Sequence, residues 1–173
     1  MEFQNFLKIL GVLAKHEVEF IVIGGVSGVL NGAPLTTFDV DVVHSRTAEN
    51  VTKLLAAFEE LDAIYRLQPD RKFRPNESHV SSPGHQLLIT KYGKADFLGS
   101  VTRQRTYADL LPHSTEMEIA GGFKVNVLNL EMLITLKEET GQPKDIAVLP
   151  ILQATLNEIR KRNRKADPDD NSK

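Results

Sequence analysis

Two aspartates separated by one valine, Asp39-Val40-Asp41, and a third at Asp96 are the residues of this chain best suited to chemistry. In a strand alternate side chains share a face, so Asp39 and Asp41 sit together with Cα atoms about 6.7 Å apart. Val40 and Val42 then point the other way, into a core. Carboxylates so arranged are hard oxygen donors; each can reach a cation, and two metal ions about 3.5–4 Å apart could share them. Acidic residues disfavour strands, so two of them among valines call for a reason. Asp96 lies in Lys94-Ala95-Asp96-Phe97-Leu98, a short strand with Ala95 and Phe97 on its other face. From a neighbouring strand it would complete an oxygen-rich site. A further feature is Gly24-Gly25 with Ser27, where an apolar run meets the start of a helix. Glycine lets a ligand approach the backbone closely, and N–H groups at a helix start attract phosphate. Taken singly these features are ordinary: a diglycine marks a tight turn, and acids decorate solvated strand faces.

The elements that must position these residues follow from periodicity and breakers. Phe3, Phe6, Leu7, Leu10, Leu13 and Ala14 recur at helical steps, and His16-Glu17 ends that helix. Glu19 to Ile23 is a β-branched run suited to a buried strand; the diglycine breaks it, and a short helix runs to about Leu30. A turn at Gly32, Ala33 and Pro34 leads to an alternating strand, Phe38 to Val43. Thr47 is an N-cap for a helix carrying Val51, Leu54, Leu55, Phe58 and Leu61. Pro69, Pro75, Pro83 and Gly84 make residues 66–85 read as one long loop, a length that usually has a functional reason. Gln86–Thr90 pairs with Lys94–Leu98 in a hairpin, and Glu116–Ala120 with Phe123–Leu128 in a second. A helix through Leu130, Leu133, Ile134 and Lys137 stops at Gly141, and Pro143 opens the next one. Pro150 should kink or restart that helix. Beyond about Asn163 the chain is polar and should be disordered, leaving one domain over residues 1–163.

In combination, I-V-I-G-G-V-S-G, F-D-V-D-V-V and K-A-D-F-L resemble the nucleotidyltransferase superfamily, which includes the DNA polymerase beta palm and the minimal nucleotidyltransferases. The likeness covers about residues 18–150. It is nearer to bacterial single-domain proteins of toxin–antitoxin and abortive-infection systems, whose later segment is matched by residues 128–145. The resemblance implies an α/β fold, a small mixed β-sheet flanked by helices with the acids on its open face. It implies that Asp39 and Asp41 bind two magnesium (or manganese) ions and that Asp96 is a third ligand or the base for the acceptor hydroxyl. Gly24, Gly25 and Ser27 would hold the triphosphate, with Lys137 and Lys144 near the nucleotide, unless these lysines are simply exposed helix residues. The chain departs from the pattern at Leu35, where relatives often have an arginine, and at Asn31, where histidine is common. Either nucleotide binding is weaker for it, or the charge comes from loop cations such as Arg66, Arg71, Lys72 and Arg74.

Composition sets the outer limits. The chain has 173 residues, 41% hydrophobic and 25% charged, and contains no cysteine, which excludes disulfides, thiolate metal sites and cysteine nucleophiles. Six of the 21 basic and three of the 23 acidic residues lie in 160–173, leaving the remainder at −5, unlike a dedicated DNA-binding domain. The basic run 160–165 either touches RNA phosphates or ends a helix in solvent. His79 and His85 lie upstream of Asp96 as metal or acceptor ligands, or as plain loop residues, and His44 could orient a neighbour. No apolar run is long enough to span a membrane, the first residues lack export features, and a cytoplasmic location is expected. The expected function is metal-dependent transfer of a nucleoside monophosphate from an NTP to a hydroxyl of RNA, protein or a small molecule, releasing pyrophosphate. The rival is a binding module, such as an antitoxin or regulatory partner, that keeps the fold without the reaction.

Overall fold

In a computed structural model, which describes residues 3–166, apolar periodicity resolves into two cores on opposite sides of one sheet. Helix α1 (Phe3–Lys15) buries Phe6, Ile9, Leu10 and Leu13. Strand β1 (Phe20–Ile23) is buried throughout, as its unbroken apolar run requires, and passes directly into α2 (Gly24–Leu30). Strand β2 (Asp39–His44) is followed by α3 (Ala48–Glu60), whose N-cap Thr47 accepts from the Asn50 N–H. Then come β3 (Ile64–Tyr65), α4 (Glu77–Val80), β4 (His85–Thr90) and β5 (Gly93–Leu98). A one-turn helix α5 (Tyr107–Leu110) leads to β6 (Ser114–Ile119), β7 (Phe123–Leu128), α6 (Leu130–Thr140) and α7 (Pro143–Ala166).

The seven strands lie in the order β3-β4-β5-β2-β1-β7-β6. The β1–β7 and β2–β5 pairs are parallel and the rest antiparallel, so the sheet is mixed. On one face Val22, Val40, Val42, Leu88, Ala95 and Phe97 form the first core with α1 and α3. On the other, Ile21, Ile23, Val43 and Leu128 form the second core with α6 and α7. The second core covers only part of its face. The uncovered part carries the aspartates, because β2 alternates as the sequence predicts: Val40 and Val42 inward, Asp39 and Asp41 outward.

Three expectations are corrected. Residues 66–85 are ordered, but not as one long loop. A turn of 3₁₀ helix at Pro69–Arg71 and helix α4 break it up; Asn76 caps α4 by accepting from the His79 N–H at 3.0 Å, and Val80 is fully buried. The prolines conceal this because they fall beside these turns, where a missing N–H is harmless. Pro150 does not restart α7, which is one continuous helix. Pro150 and Ile146, the residue whose carbonyl loses its donor, are both exposed, so water can serve the carbonyl while Leu152 and Leu156 pack on the opposite side. Finally, α7 runs to Ala166 rather than ending near Asn163; the rest of the expected tail, 167–173, lies outside the described residues.

One buried polar side chain pins the start of β1 to the end of β2. Asn50, only 1% exposed, accepts from the Glu19 N–H at 2.7 Å and donates to the carbonyls of Glu19 (3.0 Å) and Ser45 (2.8 Å). Removing it strands the Glu19 N–H and the Ser45 carbonyl, while the Glu19 carbonyl keeps the Ser45 N–H at 3.0 Å. Asn50→Ala should therefore lose about 2–4 kcal/mol of unfolding free energy in urea titration, whereas truncating exposed Thr52 should cost under about 0.5 kcal/mol.

Candidate active site

The register of the sheet brings the acids together. Asp41 stands level with Asp96 across the parallel β2–β5 pair, and with Ile23 across β1–β2, immediately before the diglycine. Asp39, two residues back on the same face, joins them. Each of the three carboxylates offers an oxygen within 4.8 Å of the others. Asp39 and Asp41 are partly exposed; Asp96 is buried.

The diglycine makes this approach possible. Gly24 adopts φ +62°, and a Cβ built there would lie 2.1 Å from Asp41 Oδ2. A Cβ on Gly25 would lie 2.7 Å from Thr37 Oγ1, which itself donates to the Asp39 carbonyl at 3.1 Å. The glycines therefore let the loop ahead of β2, and the Asp41 carboxylate, lie directly on the start of α2. No side chain caps α2, and both glycines line a cleft of about 380 Å³ with all three aspartates.

Cations close the cleft from two sides. Arg66 continues from the edge strand β3, its N–H donating to the Leu87 carbonyl at 3.1 Å, and Leu87 is level with Asp96. Its guanidinium grips Asp96 with two hydrogen bonds, Nη1 to Oδ1 at 2.5 Å and Nη2 to Oδ2 at 3.1 Å. Lys137 and Lys144 line the opposite wall. Lys137 Nζ donates to Asp145 Oδ1 at 2.7 Å, and Thr140 Oγ1 donates to Asp145 Oδ2 at 2.9 Å, while Lys144 is exposed. Asp145 went unremarked in the sequence, although a signal existed. Gly141 in the left-handed conformation and Pro143 opening α7 fold the two helices into a hairpin, which brings the last turn of α6 to the first turn of α7.

A recess of about 250 Å³ adjoins the cleft and shares Gly24, Asp41, Lys137, Lys144 and Asp145 with it. Its wall is apolar: Ile23, Leu98, Val101, Leu133 and Leu136. The turn bearing Val101 and Thr102 is tied to α6 through Glu139, which accepts from Arg105 (2.6 and 2.9 Å) and from Thr102 (2.6 Å). These hydrogen bonds hold the Glu139 carboxyl down at about 2. A larger groove, about 590 Å³, lies between Pro34 and the middle of α7, away from the triad; chemistry rather than volume marks the site.

Other singled-out residues fall elsewhere. Ser27 is fully buried in α2, its hydroxyl donating to the Gly24 carbonyl at 2.9 Å, and the structure does not bring it to the lining of either cavity. Asn31 Nδ2 donates to the carbonyls of Ser27 and Leu128, tying α2 to β7. Leu35 packs on the second core and against Gly28, and of the four loop cations Arg66 lines the cleft. Arg74 pairs with Asp62, and Arg71 lies over Phe73; neither these nor Lys72 line the cleft. His85 lines the recess and contacts the Ser100 carbonyl at 3.0 Å; His79 contacts the Tyr65 hydroxyl at 3.0 Å, outside both cavities. His44 is buried with Nε2 on the Val80 carbonyl at 3.0 Å, which anchors α4.

The cluster is electrostatically costly. Burial, then the charges of Asp39 and Asp96, push the Asp41 carboxyl up to about 7 against the pull of Lys137 and Lys144. Burial also raises Asp96, against Arg66. An unfolded Asp41 ionises near 3.8, so the unfolded chain releases its proton first and folding loses stability as pH rises from about 4 to about 7. Asp41→Asn removes that penalty. In metal-free buffer its melting temperature should gain on the wild type across this window and hold a constant lead above it. A difference that does not change with pH would contradict the assignment.

No protein-family description matches this chain, and no curated protein is detectably similar in sequence. Solved structures do match. TM1012 from Thermotoga maritima, provisionally described as a nucleotidyltransferase, aligns with TM-score 0.54 and 19% identity over 91% of this chain and 96% of its own. The antibiotic-resistance factor ANT(2'')-Ia aligns with TM-score 0.56 and 13% identity over 94% of this chain and 93% of its own. At these identities the likeness is one of architecture. The chain has the fold of the nucleotidyltransferases, a mixed sheet flanked by helices.

Proposed function

We propose that this protein is a metal-dependent nucleotidyltransferase, moving a nucleoside monophosphate from an NTP to a hydroxyl acceptor. One observation carries the reading: three carboxylates converge within 4.8 Å on the floor of a cleft walled by cations. The donor set is all oxygen and anionic, which suits magnesium or manganese, and burial of like charges makes it costly to keep without a counter-ion. Asp39, Asp41 and Asp96 would hold the metal, which when bound neutralises the triphosphate and stabilises the entering and leaving oxygens.

The chain's own groups account for the rest. The acceptor oxygen attacks the α-phosphorus, the bond to the β-phosphate oxygen breaks, and pyrophosphate leaves. The acceptor's proton passes to a carboxylate of the triad, with Asp96 as the candidate base if it is not a ligand. Lys144, exposed on the wall, binds phosphate, as do the backbone N–H groups at Gly24 and Gly25. Lys137, held by Asp145, adds its field and fixes the α6–α7 hairpin. The apolar recess beside Asp41 takes the flat or sugar portion of the nucleotide. RNA 3′ ends, protein hydroxyls and small molecules all remain acceptors for a screen, and a resistance factor among the structural neighbours puts small molecules in it. No helix among the described residues is long and apolar enough to cross a membrane. The rival reading is a non-catalytic antitoxin or regulatory module, which Leu35 in place of a cation favours; the convergence of all three carboxylates favours the enzyme.

Calorimetric titration with each of the four NTPs in magnesium tests the proposal. At least one should bind, and Asp39→Ala/Asp41→Ala should weaken it by about 100-fold or more, as loss of a metal site does. Failure of every NTP with either magnesium or manganese would overturn it.

A further inference from the structure

If Asp39, Asp41 and Asp96 form a cation site, one of the three ligands is already taken. Both Asp96 oxygens accept from a single guanidinium, at 2.5 and 3.1 Å, and the two side chains are only 23% (Arg66) and 11% (Asp96) exposed. A two-pronged pair withdrawn from water in this way is much stronger than an open surface ion pair. Yet Asp96 offers an oxygen within 4.8 Å of the other two carboxylates, where a shared cation would sit. With a metal–oxygen distance of about 2.1 Å, a dication on Oδ1 would stand at most about 4.6 Å from Nη1. Valence allows that arrangement, since a carboxylate oxygen has two lone pairs. Charge opposes it, because repulsion between +2 and +1 is large in a partly buried cleft.

Arg66 is placed to leave. It follows a two-residue strand at the edge of the sheet, and its side chain reaches Asp96 from beyond the intervening strand β4. The next residue, Leu67, is 78% exposed, so the segment lies at the surface with solvent beside it.

We infer that Arg66 is an internal counter-ion that clasps Asp96 while the site is metal-free and swings off when a divalent cation binds. Guanidinium and metal thus compete for one carboxylate. This rests on the triad being the cation site. The clasp keeps the acids gathered between turnovers, and its release frees a cation inside the cleft.

The test is manganese binding without nucleotide, followed by the loss of the free-ion paramagnetic resonance signal. Arg66→Gln should bind manganese about tenfold tighter than wild type, and Arg66→Lys roughly threefold tighter. The lysine variant keeps the charge but not the fork, so simple long-range repulsion would leave it at the wild-type affinity. In the unmodified protein, side-chain NMR of Arg66 should show a guanidinium with hindered rotation that becomes free on saturation with magnesium; this measurement stands even if a variant fails to fold. Manganese binding by Arg66→Lys no tighter than by wild type, or a guanidinium still held at magnesium saturation, would overturn the inference and leave the metal site standing. No binding by wild type or variants would overturn the metal site itself, and the inference with it.

Discussion

Three carboxylates crowded on one side of a sheet repel one another, and burial strips away the water that would otherwise screen them. Much of this architecture answers that repulsion. The most perturbed of the three is Asp41, repelled by the other two acids and pressed onto the first residue of α2, with its carboxyl pushed up to about 7. Arg66 approaches from one edge, and Lys137 and Lys144 from the opposite wall. Nothing in the packing of either core calls for such a cluster. Replacing Asp41 with a polar neutral residue would make the metal-free fold more stable, and a costly arrangement of this kind is characteristic of functional sites.

The fold serves the cluster in two ways. Parallel pairing of β2 with β5 sets Asp41 level with Asp96, which hairpin neighbours of other register would not do. On the same face, α6 and α7 cover Ile21, Ile23 and Val43 but stop short of the acids, so the second core ends where the cleft begins. The Lys137–Asp145 pair joins those two helices at the boundary. The diglycine then serves sterics first: without it, a Cβ at Gly24 would occupy the space of the Asp41 carboxylate. Any contact with phosphate comes on top of that.

Much of this was legible in the sequence. Alternation in F-D-V-D-V-V fixed which side chains face the cleft, and both hairpins, the Thr47 cap, the Gly141 stop and the Pro143 start stand where local chemistry put them. The triad could be nominated because acids in strands are rare enough to need a reason. What escaped was set by tertiary contact. Helix α4 is one turn long, and its formation depends on Val80 entering the first core and on His44 meeting the Val80 carbonyl. Arg66 was one of four loop cations with no sequence feature to rank them; only the register of β3, β4 and β5 carries it to Asp96. A helix start was visible at Ser27, while the turn of its hydroxyl toward the Gly24 carbonyl was not. Pro150 did not restart the helix because the carbonyl it leaves without a donor, that of Ile146, lies on the exposed side.

The account turns on the claim that these acids are gathered to hold a cation. The direct measurement is the ionisation of the Asp41 carboxyl by carbon-13 NMR, in metal-free buffer and again with saturating magnesium. A pKa near 7 without metal, falling to the ordinary carboxylate range or below when magnesium is added, is the expected result. An Asp41 that titrates near 3.8 without metal, or one that ignores magnesium, would contradict it.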